Sequence, residues 1–386
     1  MAVIAVKPAL IVWAREHRGL TRSEAAVKLS IPEPDLLALE QGKKPLNLTQ
    51  FKKISDRLRV PRATLLRQTP PNIPPMPTDF RTIDGRRPRI DFDTRIAISY
   101  AQTINANILE LVEAGAAPPT PVLARVSLTE NASEAGERER ERLGISPATQ
   151  FAWPFKDAAN NWRSVIENLG VFVLLQKFDL EDCRGFTTYE NPNSPIIVLN
   201  KNEPHEPARI FTLVHEYCHL LLRQPGLSDH NDRNPVEAFC NRFAAGFLMP
   251  RAALRAALPT WPNQPIEWEF EDIRNWARRF KVSQQAFALR LEELNLAPAG
   301  YYARFVASQQ EITLREQSGG DHVATQMSEM GARYLQTVMS ATDAGQIGQV
   351  EATDMLQLSP QHFDRVREQV ARRFSRIGAI PSVVSH

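Results

Sequence analysis

The chain has 386 residues, 43% of them apolar and 23% charged. That is enough apolar material for a packed core, and it excludes a mainly disordered chain. The net charge of +2 conceals an uneven distribution: residues 1–68 carry 13 Lys/Arg against 6 Asp/Glu, a balance of +7, so the rest of the chain stands at −5. A basic head on an acidic body points to the head as the part that meets nucleic acid.

No run approaches the ~18 consecutive apolar residues of a membrane helix, so no membrane partner is expected. The N-terminal MAVIAVKPALIVWAREHRG lacks a charged start before an apolar centre and lacks a small-residue cleavage site, so it does not read as a signal peptide. The cysteines Cys183, Cys218 and Cys240 are too few, and odd in number, for a disulfide framework; a reducing, cytoplasmic setting is expected.

In chain order, residues 8–66 predict a string of short helices. Leu10, Val12 and Trp13 form the first apolar face, which stops at Gly19. Thr21 with Glu24 three residues on is a capping-box pattern, and Ala25, Ala26 and Leu29 face inward behind it. A third segment carries Leu36, Leu37 and Leu39 and ends at Gly42. A fourth runs over 48–58, with Leu48, Phe51, Ile54 and Leu58 at helical spacing. Short helices with glycine-containing turns suit a helix-turn-helix domain over 1–69. Pro70, Pro71, Pro74, Pro75 and Pro77 predict a stiff, extended linker over 70–92.

A helical arm is expected over 93–124, with Ile96, Tyr100, Ile104, Ile108 and Leu111 on one stripe and a break at Pro118, Pro119 and Pro121. The block 125–300 mixes types. A charged helix is predicted over 133–144, a helix from Trp162 stopped by Gly170, and strands at 171–175 and 196–199, with helices dominating afterwards. Helices are expected in a C-terminal domain, 301–386, over 332–342 and 350–356, with another starting at Ser359-Pro360. The fold class is therefore mainly α with a small β-sheet (α+β).

The chemistry lies in FTLVHEYCHLLL at 211–222. It contains His215-Glu216-Tyr217-Cys218-His219, an H-E-x-x-H. On a helix, residues four apart share a face, so both imidazoles reach one Zn²⁺, and the glutamate beside the first histidine serves as general base to a metal-bound water. Catalytic zinc normally takes three protein ligands. Pro225-Gly226 ends this helix, and Asn234-Pro235 caps a second one, PVEAFCNRFAAGFLMP. Glu237 is its natural third ligand. Asn241, one turn later on the same face, is placed to hydrogen-bond a ligand imidazole. Cys218 and Cys240 offer alternative ligands, but core packing is the expected role of both. His205 and the Asp229–Asp232 loop read as capping or solvent-facing. Tyr301 and Tyr302 offer an oxyanion contact, against the plainer expectation of partly buried aromatics.

The stretch PIIVLN, FTLVHEYCHLLL and VEAFCNRFAAGFLMP resembles the ImmA/IrrE family of zinc-dependent metallopeptidases. Cys218 departs from it, since the family often has Gly there. Upstream, MAVIAVKPALIVWAREHRGLT, the proline-rich linker and Asp79-Phe80-Arg81-Thr82 resemble the subgroup with an Xre-type helix-turn-helix in front. The resemblance implies a gluzincin-like site with His215, His219 and Glu237 as zinc ligands and Glu216 as base. It implies protein substrates, typically DNA-binding repressors, cut to release stress or mobile-element genes. Because some fused members sit in toxin–antitoxin operons, it also allows a non-catalytic antitoxin or repressor with a toxin partner and a structural or vestigial zinc.

Aligned with the Xre pattern, Ile31–Glu40 becomes the recognition helix, with Pro32, Glu33, Pro34, Asp35 and Ala38 outward. Acidic side chains there repel a phosphate-rich groove, and none is among the usual Arg, Lys, Asn or Gln base readers. Phosphate contacts would come from Lys43, Lys44, Lys52 and Lys53, with Arg15 and Arg18. The competing expectation is a dimerisation or docking module, which makes a homodimer one of the possible assemblies.

Overall fold

The structure is a computed structural model, and it describes residues 3–60, 62–70, 90–116, 118, 120–180, 182–189, 191–224, 234–258, 261–308, 322–358 and 360–377. Most of the expected linker, residues 71–89 with Pro71, Pro74, Pro75, Pro77 and Asp79–Thr82, lies outside the described residues, as do Pro119, Pro225-Gly226, the Asp229–Asp232 loop and Ser359. The fold is mainly helical with a small mixed sheet, an α+β arrangement. The chain divides into two compact units, residues 1–102 with 177–182, and residues 103–176 with 183–386.

The first unit holds β1 (Val3–Ile4), α1 (Pro8–His17), α2 (Arg22–Leu29), α3 (Glu33–Glu40), β2 (Leu46–Asn47), α4 (Leu48–Leu58), α5 (Arg62–Leu65) and the start of α6 (Phe92–Glu113). The capping box is formed: the Glu24 backbone N–H donates to Thr21 Oγ1 while Glu24 accepts from the Thr21 backbone. A second box, Asn47 with Gln50, starts α4. Two expectations need correction. The buried face of α1 is Leu10, Ile11 and Ala14, because positions 10, 11 and 14 follow the helical period, whereas Val12 and Trp13 are only half-buried. Leu48 is exposed, since it opens α4 at the surface, and Phe51, Ile54 and Leu58 carry the packing.

In the second unit α7 (Ala132–Arg142), α8 (Pro147–Ala152) and α9 (Ala158–Asn168) precede the sheet. Its strands are β3 (Phe172–Gln176), β4 (Gly185–Thr188) and β5 (Ile196–Asn200), in the order β3-β5-β4. β3 pairs parallel with β5, Phe172 opposite Ile196, and β4 pairs antiparallel with β5, Gly185 opposite Leu199. β4 was not foreseen: GFTT is short and carries no apolar alternation. α10 (Glu206–Leu222) follows β5 and packs on β4, β5, α9 and α11 (Pro235–Leu248). Then come α12 (Arg251–Ala257), α13 (Phe270–Phe280), α14 (Gln284–Glu293), α15 (Tyr301–Ser308), α16 (His322–Met330), α17 (Ala332–Asp343), α18 (Gln349–Met355) and α19 (Phe363–Ile377). α15 and α16 were also unforeseen.

The tightest packing is α7 against α11. A Cβ on Gly136 would come within 2.2 Å of the Phe243 carbonyl oxygen, and one on Gly246 within 2.2 Å of the Ser133 carbonyl oxygen. Backbone meets backbone there, so neither side can yield. Gly246→Ala is therefore expected to lower stability by about 1–3 kcal/mol or more. Gly348→Ala, where the added Cβ meets nothing within 4 Å, should stay within about 0.5 kcal/mol. Urea unfolding of the two variants checks this, and equal midpoints would refute the close contact.

Candidate metal centre

α10 begins with Pro207 at its second position, and it buries Ile210, Leu213, Val214, Leu220 and Leu221 in the core. Its other face brings His215 and His219 against α11. Asn234 caps α11 by accepting from the Val236 backbone N–H, and Pro235 occupies the first turn. That cap sets the register that puts Glu237 and Asn241 opposite the two imidazoles.

The distances are short and mutual. His215 Nε2 lies 3.1 Å from Glu237 Oε2, His219 Nε2 lies 3.3 Å from Glu237 Oε1, and the two Nε2 atoms are 3.2 Å apart. The opposite ring nitrogens decide the tautomers. His215 Nδ1 donates to Asn241 Oδ1 at 2.8 Å, and His219 Nδ1 donates to the Gln224 carbonyl at 3.1 Å. In neutral rings both Nε2 lone pairs then point at each other and at a carboxylate. Three electron-rich atoms at that spacing need a positive charge between them. Donors of tetrahedral zinc, with bonds of about 2.0–2.2 Å, stand roughly 3.3–3.5 Å apart, so the donor set fits the ion.

Energetics favour the same conclusion. His215, His219 and Glu237 are each only 3% exposed. An uncompensated buried carboxylate costs several kcal/mol, and structural zinc sites return about 10–16 kcal/mol of apparent binding energy. Without metal, protons do the work. Burial opposes ionisation of Glu237, yet hydrogen bonds from His215 and His219 hold its pKa down at about 2. Burial also opposes a charged His219, but the Cys240 sulfur and the Glu237 and Glu216 carboxylates drive its pKa well up. Burial, then Cys218, push the Cys240 thiol well above its ordinary pKa.

Glu216 is fully buried. β4 crosses directly over it: a Cβ on Gly185 would sit 3.1 Å from Glu216 Cγ and Oε1 and 2.8 Å from Thr212 Cγ2. Gly185 is thus a site residue that sequence reasoning missed; nothing in GFTT marks the close approach. Cys218 and Cys240 are both buried in the core, as expected. Cys240 Sγ lies within 4.8 Å of a ligating nitrogen of both His215 and His219. His205 precedes α10, exposed and without a side-chain capping bond. Tyr301 is buried, and its hydroxyl donates to the Trp268 carbonyl at 2.9 Å.

In the first unit the expected phosphate contacts separate. Arg15 and Arg18 do not qualify. Arg15 is buried and donates to Glu40 at 2.6 Å, while Arg18 donates to the Leu58 and Arg59 carbonyls at 2.9 and 3.0 Å. Lys44 pairs with Asp35 at 2.9 Å, and Lys53 donates to the Ser30 carbonyl. Lys43 and Lys52 are exposed.

Residues 166–292 match the family model Peptidase_M78, described as the IrrE N-terminal-like domain. The matched segment contains the sheet, α10 and α11, hence every candidate donor, and it supports the ImmA/IrrE family and a metallopeptidase-like function for this part of the chain. No curated protein matches the chain. Among the described residues, no helix is long and apolar enough to cross a membrane.

Purified protein is expected to carry about one zinc per chain. Either His→Ala variant or Glu237→Ala should lose most of it, and Asn241→Ala should weaken zinc affinity about 10–100-fold. Elemental analysis after dialysis checks the first point and competition with a chelator the second. Full zinc retention by Glu237→Ala would remove that residue from the donor set.

Proposed function

We propose that the protein is a cytoplasmic zinc-dependent endopeptidase that cleaves a protein such as a DNA-binding repressor and so regulates stress or mobile-element genes. In this reading His215, His219 and Glu237 hold the metal and Glu216 is the general base. The observation that carries it is the convergence of two imidazole Nε2 atoms and one carboxylate at 3.1–3.3 Å, within the segment that matches a peptidase family.

A bound zinc supplies the Lewis acidity that makes water nucleophilic near neutral pH. The protein's own groups do the rest. Asn241 Oδ1 and the Gln224 carbonyl hold both rings in the tautomer that presents Nε2. Glu216, adjacent to His215 and confined under Gly185, takes the proton of the attacking water on a carboxylate oxygen and returns it to the leaving amine.

A second reading from another class is favoured by the burial of all three donors. Structural zinc sites are closed, whereas a hydrolytic one keeps a position open. In that reading the protein is a non-catalytic antitoxin or repressor with a toxin partner. Glu216→Gln separates the two. It keeps size and hydrogen bonding but cannot accept the proton, so it should retain zinc and fold while abolishing proteolysis. Full complementation of a deletion strain by Glu216→Gln would establish the binding-protein role instead.

For the first unit we propose phosphate-mediated DNA contact through Lys43 and Lys52, with smaller shares from Lys44 and Lys53, and homodimerisation as the alternative use of this surface. Each phosphate contact contributes about −0.9 to the slope of log K against log salt. Lys43→Ala with Lys52→Ala in the full chain should flatten that slope and weaken binding equally on promoter and scrambled DNA. Asp35→Ala, which releases Lys44, should tighten non-specific binding. Competition assays read both, and a sequence-selective complex destroyed by Asp35→Ala would overturn the assignment.

A further inference from the structure

The face of α11 that meets α10 carries a third functional side chain besides Glu237 and Asn241. Glu237, Cys240 and Asn241 stand at i, i+3 and i+4 on one side of the helix. Glu237 closes on both Nε2 atoms and Asn241 on His215 Nδ1. Cys240, between them in register, is fully buried. Its Sγ, one nitrogen of His215 and one of His219 all lie within 4.8 Å of one another. Ordinary core packing of a thiol asks only for apolar neighbours; this one is set against two imidazoles whose other contacts already orient them for a metal.

We propose that Cys240 is a fourth protein ligand of the metal, so that the resting centre is closed by two imidazoles, one carboxylate and one thiolate. Zinc takes thiolate alongside imidazole and carboxylate, and Sγ already stands within 4.8 Å of a ligating nitrogen on each imidazole. Binding forms one sulfur–metal bond and releases the thiol proton to solvent, so charge and atoms balance. The proposal rests on the His215, His219 and Glu237 metal centre and adds its regulation: Cys240 occupies the position that hydrolysis needs, and the centre becomes hydrolytic only when the sulfur leaves.

The test uses the full chain loaded with Co²⁺, whose absorption reports its ligands directly and independently of any activity. Wild type should bind about one cobalt per chain and show thiolate-to-cobalt charge transfer in the near ultraviolet. Cys240→Ala should still bind cobalt but lose that band, and Cys218→Ala should keep it. X-ray absorption on the zinc-loaded wild-type chain provides a measurement that needs no variant, and a sulfur scatterer bonded to the metal is expected. Cobalt bound one per chain without charge transfer, a band that survives Cys240→Ala, or a zinc environment of nitrogen and oxygen alone would each overturn the proposal while leaving the three-donor centre standing. A chain that binds no cobalt would bring down the centre itself and this proposal with it.

Discussion

α10 and α11 meet around one constraint: two imidazoles and a carboxylate are buried with their electron-rich atoms 3.1–3.3 Å apart. Such a cluster is tolerable only with a positive charge at its centre and with every outer hydrogen bond made. The outer bonds come from Asn241 and the Gln224 carbonyl. Their geometry depends on the rotation of α10 and the register of α11, so the packing around both helices serves the cluster.

α10 is fixed from two sides. The sheet presses on it through β4, where only glycine at 185 leaves room for Thr212 and Glu216. Tyr217, buried within the H-E-x-x-H itself, donates its hydroxyl to Glu139 of α7, and Arg142 completes the network by donating to the same carboxylate. α11 is fixed along its length. The glycine contacts with α7 set its depth, and two buried arginines close its C-terminal end. Arg140 donates to the Phe247 carbonyl at 2.9 Å and Arg290 to the Met249 carbonyl at 3.1 Å. Those carbonyls have no partner within the helix, so a charged donor there holds the helix end and neutralises its negative pole. Rotation of either helix would break a charge-assisted contact far from the histidines.

What was legible in the sequence follows from whether a signal is local. The spacing of His215 and His219, the Asn234-Pro235 start and the Thr21–Glu24 box each sit within one turn of chain, and each was readable. The place of Glu237 opposite the two imidazoles was readable because a breaker and a cap limit where the next helix can start. Gly185 was not: its importance comes from a strand crossing a helix roughly thirty residues later, and no local pattern encodes that crossing. Spacing assigns Cys240 to the core, where it lies, but spacing alone cannot tell a core thiol that also stands near an imidazole from one that meets only leucines. The face of α1 was misread for a simpler reason: Trp13 is large and apolar, but Ile11 and Ala14 hold the positions the helical period turns inward.

Charge is where sequence arithmetic misleads most. The +7 balance of residues 1–68 suggests a broad positive surface, yet much of it is engaged inside the unit. Arg15 and Arg22 both pair with the buried Glu40. Arg18 satisfies carbonyls at the end of α4, and Lys53 and Arg57 do the same at the end of α2. Lys44 faces Asp35. A cation that already holds a carbonyl or carboxylate must give up that contact to meet a phosphate, so its net contribution to DNA affinity is smaller than its formal charge implies. The same bonds tie α1 to α3 and α4, and α2 to α4, around the apolar core of the unit. The basic residues of this unit therefore do two jobs that compete, and the exposed Lys43 and Lys52 are where that competition is weakest.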